Sequence, residues 1–113
     1  YILRYIPDKP VSVEYIESEI PEKFILNQNY PNPFNPSTKI SWQLPISGWQ
    51  TLKVYDILGN EIATLVDEYK SAGNYEVEFN LETGNIPSLA SGIYFYQLKT
   101  GDKFETKKMI LLR

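Results

Sequence analysis

Fourteen Asp and Glu side chains are the groups in this chain best equipped for chemistry, because its 113 residues include no histidine and no cysteine. Without histidine the commonest general base and the commonest transition-metal ligand are missing, and no Ser–His pair can form. Without cysteine there are no disulfides, thiolate nucleophiles or usual structural zinc sites. The carboxylates would have to act as an acid/base pair or as calcium ligands, and their spacing selects neither. Glu76 and Glu78 alternate with Tyr75, Val77 and Phe79, which reads as the solvated face of a strand. Asp56, Asp67, Glu68 and Asp102 fall at expected strand ends and turns without the spacing of a Ca²⁺ loop, so they read as turn chemistry. No phosphate-cradling Gly-rich loop is present, and Pro36 bars glycosylation at Asn35. The expectation is a protein that is no enzyme and needs no cofactor or metal.

The aromatic residues offer a second kind of chemistry. Trp49, in an expected turn, together with Tyr55, Tyr69 and Tyr94 could form an exposed platform for sugar rings, as in a polysaccharide-binding β-sandwich module. Trp42 and Tyr96 share strand parity with Ile40 and Leu98, so they are expected in the core. Trp49 is the residue on which the sugar reading rests. Binding to nucleic acid is not expected, because the net charge is −3 and the pI about 4.9, whereas phosphate contacts need a basic face. Membrane insertion is not expected either, since no apolar run approaches the roughly 20 residues of a spanning helix.

The elements that must position these residues are strands. The ten residues from Asn29 to Thr38 hold Pro31, Pro33 and Pro36 with Asn29, Asn32 and Asn35. Each proline fixes its own φ, lacks a backbone donor and pushes its predecessor towards extended geometry. This predicts a stiff, irregular lead-in with Tyr30 and Phe34 as apolar pegs. Beyond it, strand signals recur at Lys39–Leu44, Thr51–Asp56, Glu61–Val66, Tyr75–Phe79, Ile93–Lys99 and Phe104–Leu112. Gly59-Asn60 reads as a hairpin turn, and Tyr69 with its neighbours as a single turn. Before the proline segment, residues 1–6 and 11–16 also look extended, followed by an acidic stretch to Glu22. The fold class expected is all-β, an antiparallel β-sandwich of about seven strands with an extended N-terminal arm. The division expected is an arm or linker over residues 1–22 and a domain over 23–113.

Four stretches together resemble the C-terminal sorting domain family of type IX secretion. They are Asn29-Tyr30-Pro31-Asn32-Pro33-Phe34-Asn35-Pro36-Ser37-Thr38-Lys39-Ile40, Leu52-Lys53-Val54-Tyr55-Asp56-Ile57-Leu58-Gly59, Ser91-Gly92-Ile93-Tyr94-Phe95-Tyr96-Gln97-Leu98, and the terminal Lys107-Lys108-Met109-Ile110-Leu111-Leu112-Arg113. An Ig-like domain of flagellar hook-capping proteins shares parts of the pattern. The resemblance implies an Ig-like sandwich, carried by a protein exported through the periplasm of a Gram-negative bacterium to its surface or medium. The domain would be the address read by the secretion machinery of the outer membrane, with an upstream cargo domain as its covalent partner. It would have no catalytic residues. The resemblance assigns recognition to Pro31, Asn32, Pro33, Phe34, Asn35, Pro36, Gly59, Gly92, Tyr94, Lys107, Lys108 and Arg113.

Only about 22 residues precede the resembling region. The chain is therefore expected to be either a fragment or a processed subunit that is its own cargo. In the second case Val11, Val13 and Tyr15 could donate a strand to an identical subunit, and head-to-tail repetition would give a filament. Charge fits such pairing. Arg4 and Lys9 face Asp8, Glu14, Glu17, Glu19 and Glu22 in the arm, a balance of −3, while residues 99–113 carry +3.

Overall fold

The computed structural model describes residues 21–83 and 88–113. The arm residues Val11, Val13 and Tyr15, on which the strand-donor reading rests, lie outside the described residues. Seven strands run through the described chain: β1 (Ile25–Leu26), β2 (Ser37–Leu44), β3 (Gly48–Tyr55), β4 (Glu61–Lys70), β5 (Gly73–Asn80), β6 (Gly92–Thr100) and β7 (Lys103–Leu111). They form two antiparallel sheets, a three-stranded one ordered β1-β2-β5 and a four-stranded one ordered β4-β3-β6-β7. This is the all-β antiparallel sandwich expected from the alternation of apolar residues, in the Ig-like form that the family resemblance implied.

Alternation places the core. On β2 the buried residues are Thr38, Ile40, Trp42 and Leu44; on β6 they are Tyr94, Tyr96 and Leu98. Every second side chain faces the opposite sheet. Trp42 Nε1 donates to the buried Gln50 Oε1 at 2.9 Å, which links β2 of one sheet to β3 of the other. Two tyrosines brace turns in the same way. Tyr94 and Tyr75 each donate a hydroxyl proton to the carbonyl four residues upstream, Ala90 at 2.7 Å and Ser71 at 2.6 Å. A tyrosine near the start of the penultimate strand, bonded back to its own lead-in, is a hallmark of Ig-like sandwiches.

Three expectations need correction. Tyr30 is 81% exposed and is no peg, whereas Phe34 is 2% exposed and is one. The difference is orientation. Tyr30 pairs with Lys39 through N–H···O bonds of 3.0 and 2.9 Å, and its ring points to solvent. Trp49 sits in β3, directly opposite Tyr69 in β4, so neither occupies a turn. Turn residues near both masked the strands: Ser47 and Gly48 precede Trp49, while Ser71, Ala72 and Gly73 follow Tyr69. Tyr94 points into the core and cannot join an exposed platform.

Candidate functional site

The short strand β1 and the proline-rich segment cross from one sheet to the other. Ile25 and Leu26 pair with Gln43 and Trp42 of β2. Asn27 continues this pairing, donating N–H to Ser41 O at 3.0 Å, and its own carbonyl accepts the Tyr96 hydroxyl at 2.6 Å. Burial raises the Tyr96 hydroxyl to a pKa of about 12, so it stays a donor at any physiological pH. The segment that follows, still tied to β2 at Tyr30, also runs alongside β7. Gln28 Nε2 donates to Lys108 O at 2.7 Å, Ile110 N–H donates to Asn32 Oδ1 at 2.9 Å, Phe34 N–H donates to Ile110 O at 2.9 Å, and Leu112 N–H donates to Phe34 O at 3.1 Å. Phe34 and Leu111 thus form a parallel bridge.

Asparagine and proline together make this strap self-supporting. The buried Asn29 and Thr38 form a closed network, with Asn29 Nδ2 donating to Thr38 Oγ1 at 2.9 Å and Thr38 Oγ1 donating to Pro31 O at 2.8 Å. The peptide bonds before Pro31, Pro33 and Pro36 are cis. Pro31, Asn32, Pro33 and Asn35 stay exposed on the outside of the loop, and Pro36 is partly covered. Phe34 alone turns inward, its ring 6.0 Å from that of Phe79 in β5. One residue therefore joins β7 of the large sheet by its backbone and β5 of the small sheet by its ring.

The other motif segments gather at the same end. Tyr55 pairs with Phe95, Gly92 with Leu111 and Ile93 with Ile110, so the β3–β4 turn, the start of β6 and the end of β7 adjoin. Arg113 N–H donates to Ser91 Oγ at 2.8 Å, which fastens the terminus to the start of β6. Lys108 and Arg113 are exposed and Lys107 is half-buried, while Met109 and Leu111 anchor the strand in the core. Among the assigned recognition residues, Phe34 and Tyr94 are buried and therefore hold the surface in place; the exposed ones can be touched. The described chain enters at the opposite pole, where Phe24 lies beside Leu44–Gly48 and Thr100–Lys103. Eight residues of β2 separate the poles, about 26 Å at the usual rise.

Asp56, Glu61, Asp67 and Glu68 have structural employment. Asp56 Oδ1 accepts N–H bonds from Leu58 (2.9 Å) and Asn60 (2.8 Å), and Oδ2 accepts from Asn60 Nδ2 (3.2 Å). Gly59 completes the turn at φ +88°, which a side chain would strain. The bond from the Asn60 amide is the main cause holding the Asp56 carboxyl below its ordinary value, with Leu58 and Gly59 assisting. A depressed folded pKa means that this contribution to stability is present above the unfolded value and is lost as pH falls through the folded one. An NMR titration is thus expected to show the Leu58 and Asn60 amide signals moving together with a midpoint below about 3.9, the usual Asp value. A midpoint at or above it would refute this account of the turn.

Asp67 Oδ1 accepts the Trp49 indole N–H at 2.7 Å, and Lys53 pairs with Glu61 at 3.2 Å across the β3–β4 bulges. Trp49, Thr51, Tyr55, Gln97 and Lys99 line a shallow groove of about 360 Å³ on the outer face of the large sheet. Trp49 is exposed there with Tyr69 beside it. Trp49, Tyr55 and Tyr69 thus share that face, and Tyr94 does not.

The sandwich, its strapped terminal strand and its convergent motif pole define a class of protein: a small Ig-like module whose motif residues gather at one end of the described fold. The chain belongs to the secretion system C-terminal sorting domain family, whose model matches residues 28–112. A search of curated proteins finds no match. Among solved structures, dimeric latent PorU from Porphyromonas gingivalis is similar at 16% identity and a TM-score of 0.58, over 80% of this chain and 9% of that one. PorZ, an essential bacterial surface component of the type IX secretion system of the same organism, is similar at 17% identity and a TM-score of 0.53, over 81% of this chain and 12% of that one. The chain therefore spans about a tenth of the length of these relatives, and the likeness is one of fold.

Proposed function

We propose that this domain directs an upstream cargo through the outer membrane by the type IX route to the cell surface or medium, and that the secretion machinery reads the motif pole of the folded sandwich. The observation that carries the proposal is convergence. Four segments far apart in sequence meet at one end of the domain, held there by the strap onto β7 and the Arg113–Ser91 bond. The described chain enters at the other end, beside Phe24, which favours a cargo held away from the motif pole. Residues 23–113 act as the address, and residues 1–22 as the lead-in to it. Pro31, Asn32, Pro33, Asn35, Lys108 and Arg113 form the touched part of the surface. A module of this kind does no chemistry, and its partners are the machinery and its own cargo.

The test is a fusion. A fluorescent reporter placed ahead of the complete chain, in a host with a working type IX system, is expected at the surface or in the medium. A folded reporter retained in the periplasm would rule the sorting function out.

A further inference from the structure

The β3–β4 turn uses its polar residues for geometry and leaves two large apolar ones in water. Turn positions are ordinarily filled by Gly, Asn, Asp or Ser, and here Asp56, Gly59 and Asn60 supply the whole turn chemistry. Ile57 and Leu58 at the tip are 68% and 83% exposed. Besides the three bonds to the Asp56 carboxylate, Asp56 N–H donates to Asn60 O and Gly59 N–H donates to Asp56 O, each at 3.0 Å. The tip is therefore a fixed apolar prong. A prong already held in shape loses little conformational entropy on docking.

Its surroundings suit a protein partner. The prong borders a recess of about 380 Å³ on the outer sheet face, lined by Tyr55, Phe95, Gln97 and Thr106. Below it, Ile93 and Ile110 lie side by side across β6 and β7, and Leu112 is exposed beyond them. Apolar exposure of this kind, rimmed by polar groups, marks an interaction surface. Lys108 adjoins Phe95 on the same face, and Arg113 ends the chain. Neither forms an ion pair among the described residues, where the pairs are Lys53–Glu61 and Lys70–Glu68.

We propose that Ile57 and Leu58 form a plug that seats in an apolar recess, rimmed by acidic side chains, on a protein of the secretion machinery, with Lys108 and Arg113 meeting the acidic rim. This rests on the sorting function of the motif pole and assigns its contact residues. Steering by the two cations favours encounter, and the plug holds the complex together.

The test uses the complete chain behind a reporter in a type IX-competent host, comparing wild type with the double variant Ile57→Ser/Leu58→Ser. Both residues are exposed, so the variant is expected to melt within a few degrees of wild type. The secreted fraction is expected to fall at least tenfold. A photo-crosslinking residue at position 58 is expected to join the chain to an outer-membrane secretion protein, identified by mass spectrometry. If wild type is secreted and the double variant matches it, the plug is wrong and the sorting function stands. If adducts form with lipid alone, the plug seats in the membrane and the protein recess is refuted. If wild type itself stays in the periplasm, the sorting function falls first. Should the double variant melt far below wild type, the milder Leu58→Gln variant decides on the same secretion readout.

Discussion

Replacing Phe34 with alanine is expected to destabilise the sandwich by about 3–5 kcal/mol, the usual cost of emptying a buried aromatic site. The ring contacts Phe79 of the small sheet and is the inward anchor of the strap. The backbone bonds of the strap to β7 remain available to alanine, so the cost is that of the ring. A domain of ordinary stability has about 5–15 kcal/mol to lose. Tyr30→Ala is the internal control, because an 81% exposed ring has little burial to give up and should cost no more than about 0.5 kcal/mol. Urea denaturation read by tryptophan fluorescence decides it. A Phe34→Ala midpoint equal to that of Tyr30→Ala would mean that the strap is not part of the cooperative unit.

The contrast between these two aromatics shows where reading the sequence succeeds. In a strand, period-two alternation fixes which side chains face inward, so Ile40, Trp42, Leu44, Tyr96 and Leu98 were all assignable to the core. In the proline segment there is no period. Tyr30 and Phe34 look alike in sequence, and their fates depend on long-range partners, Lys39 for one and Ile110 and Leu112 for the other. The same limit hid β1. Two residues are too few to show alternation, and Ile25–Leu26 forms a strand because β2 offers it an edge. Strand ends are legible to within a few residues except beside small and polar turn formers, whose local signal hides the strand positions of Trp49 and Tyr69.

The candidate site was legible as a set of motifs and illegible as a surface. Gly59, Gly92 and the terminal basic residues could be picked out, but nothing in their spacing says that they share a pole with Asn32. The signal that does is the bond from Ile110 N–H to the Asn32 side chain, across 78 positions of chain. Ile57 and Leu58 lie inside a motif stretch, but exposure of an apolar pair in a turn is visible only in three dimensions. Phe34 and Tyr94, read as recognition residues, are buried and shape the site from beneath.

Truncation at the C-terminus separates a folded surface from a linear tag. Removing residues 108–113 withdraws Met109 and Leu111 from the core, where both are fully buried. Each would cost about 2–5 kcal/mol if cut back to alanine, so their joint loss is comparable to the stability of the whole domain. The same cut removes the acceptors or donors used by Gln28, Asn32 and Phe34, leaving the strap without an edge. The truncated chain is expected to lack a cooperative urea transition and to fail in secretion. Charge reversal by Lys108→Glu with Arg113→Glu touches none of those buried atoms. It is expected to leave the urea midpoint nearly unchanged, as exposed ion positions contribute little to stability, while lowering secretion severalfold. Two independent results would overturn this division: a truncated chain that unfolds cooperatively at the wild-type midpoint, or a charge-reversed chain that is secreted as efficiently as wild type. The first would make the terminal strand dispensable to the sandwich, and the second would make its exposed charges irrelevant to recognition.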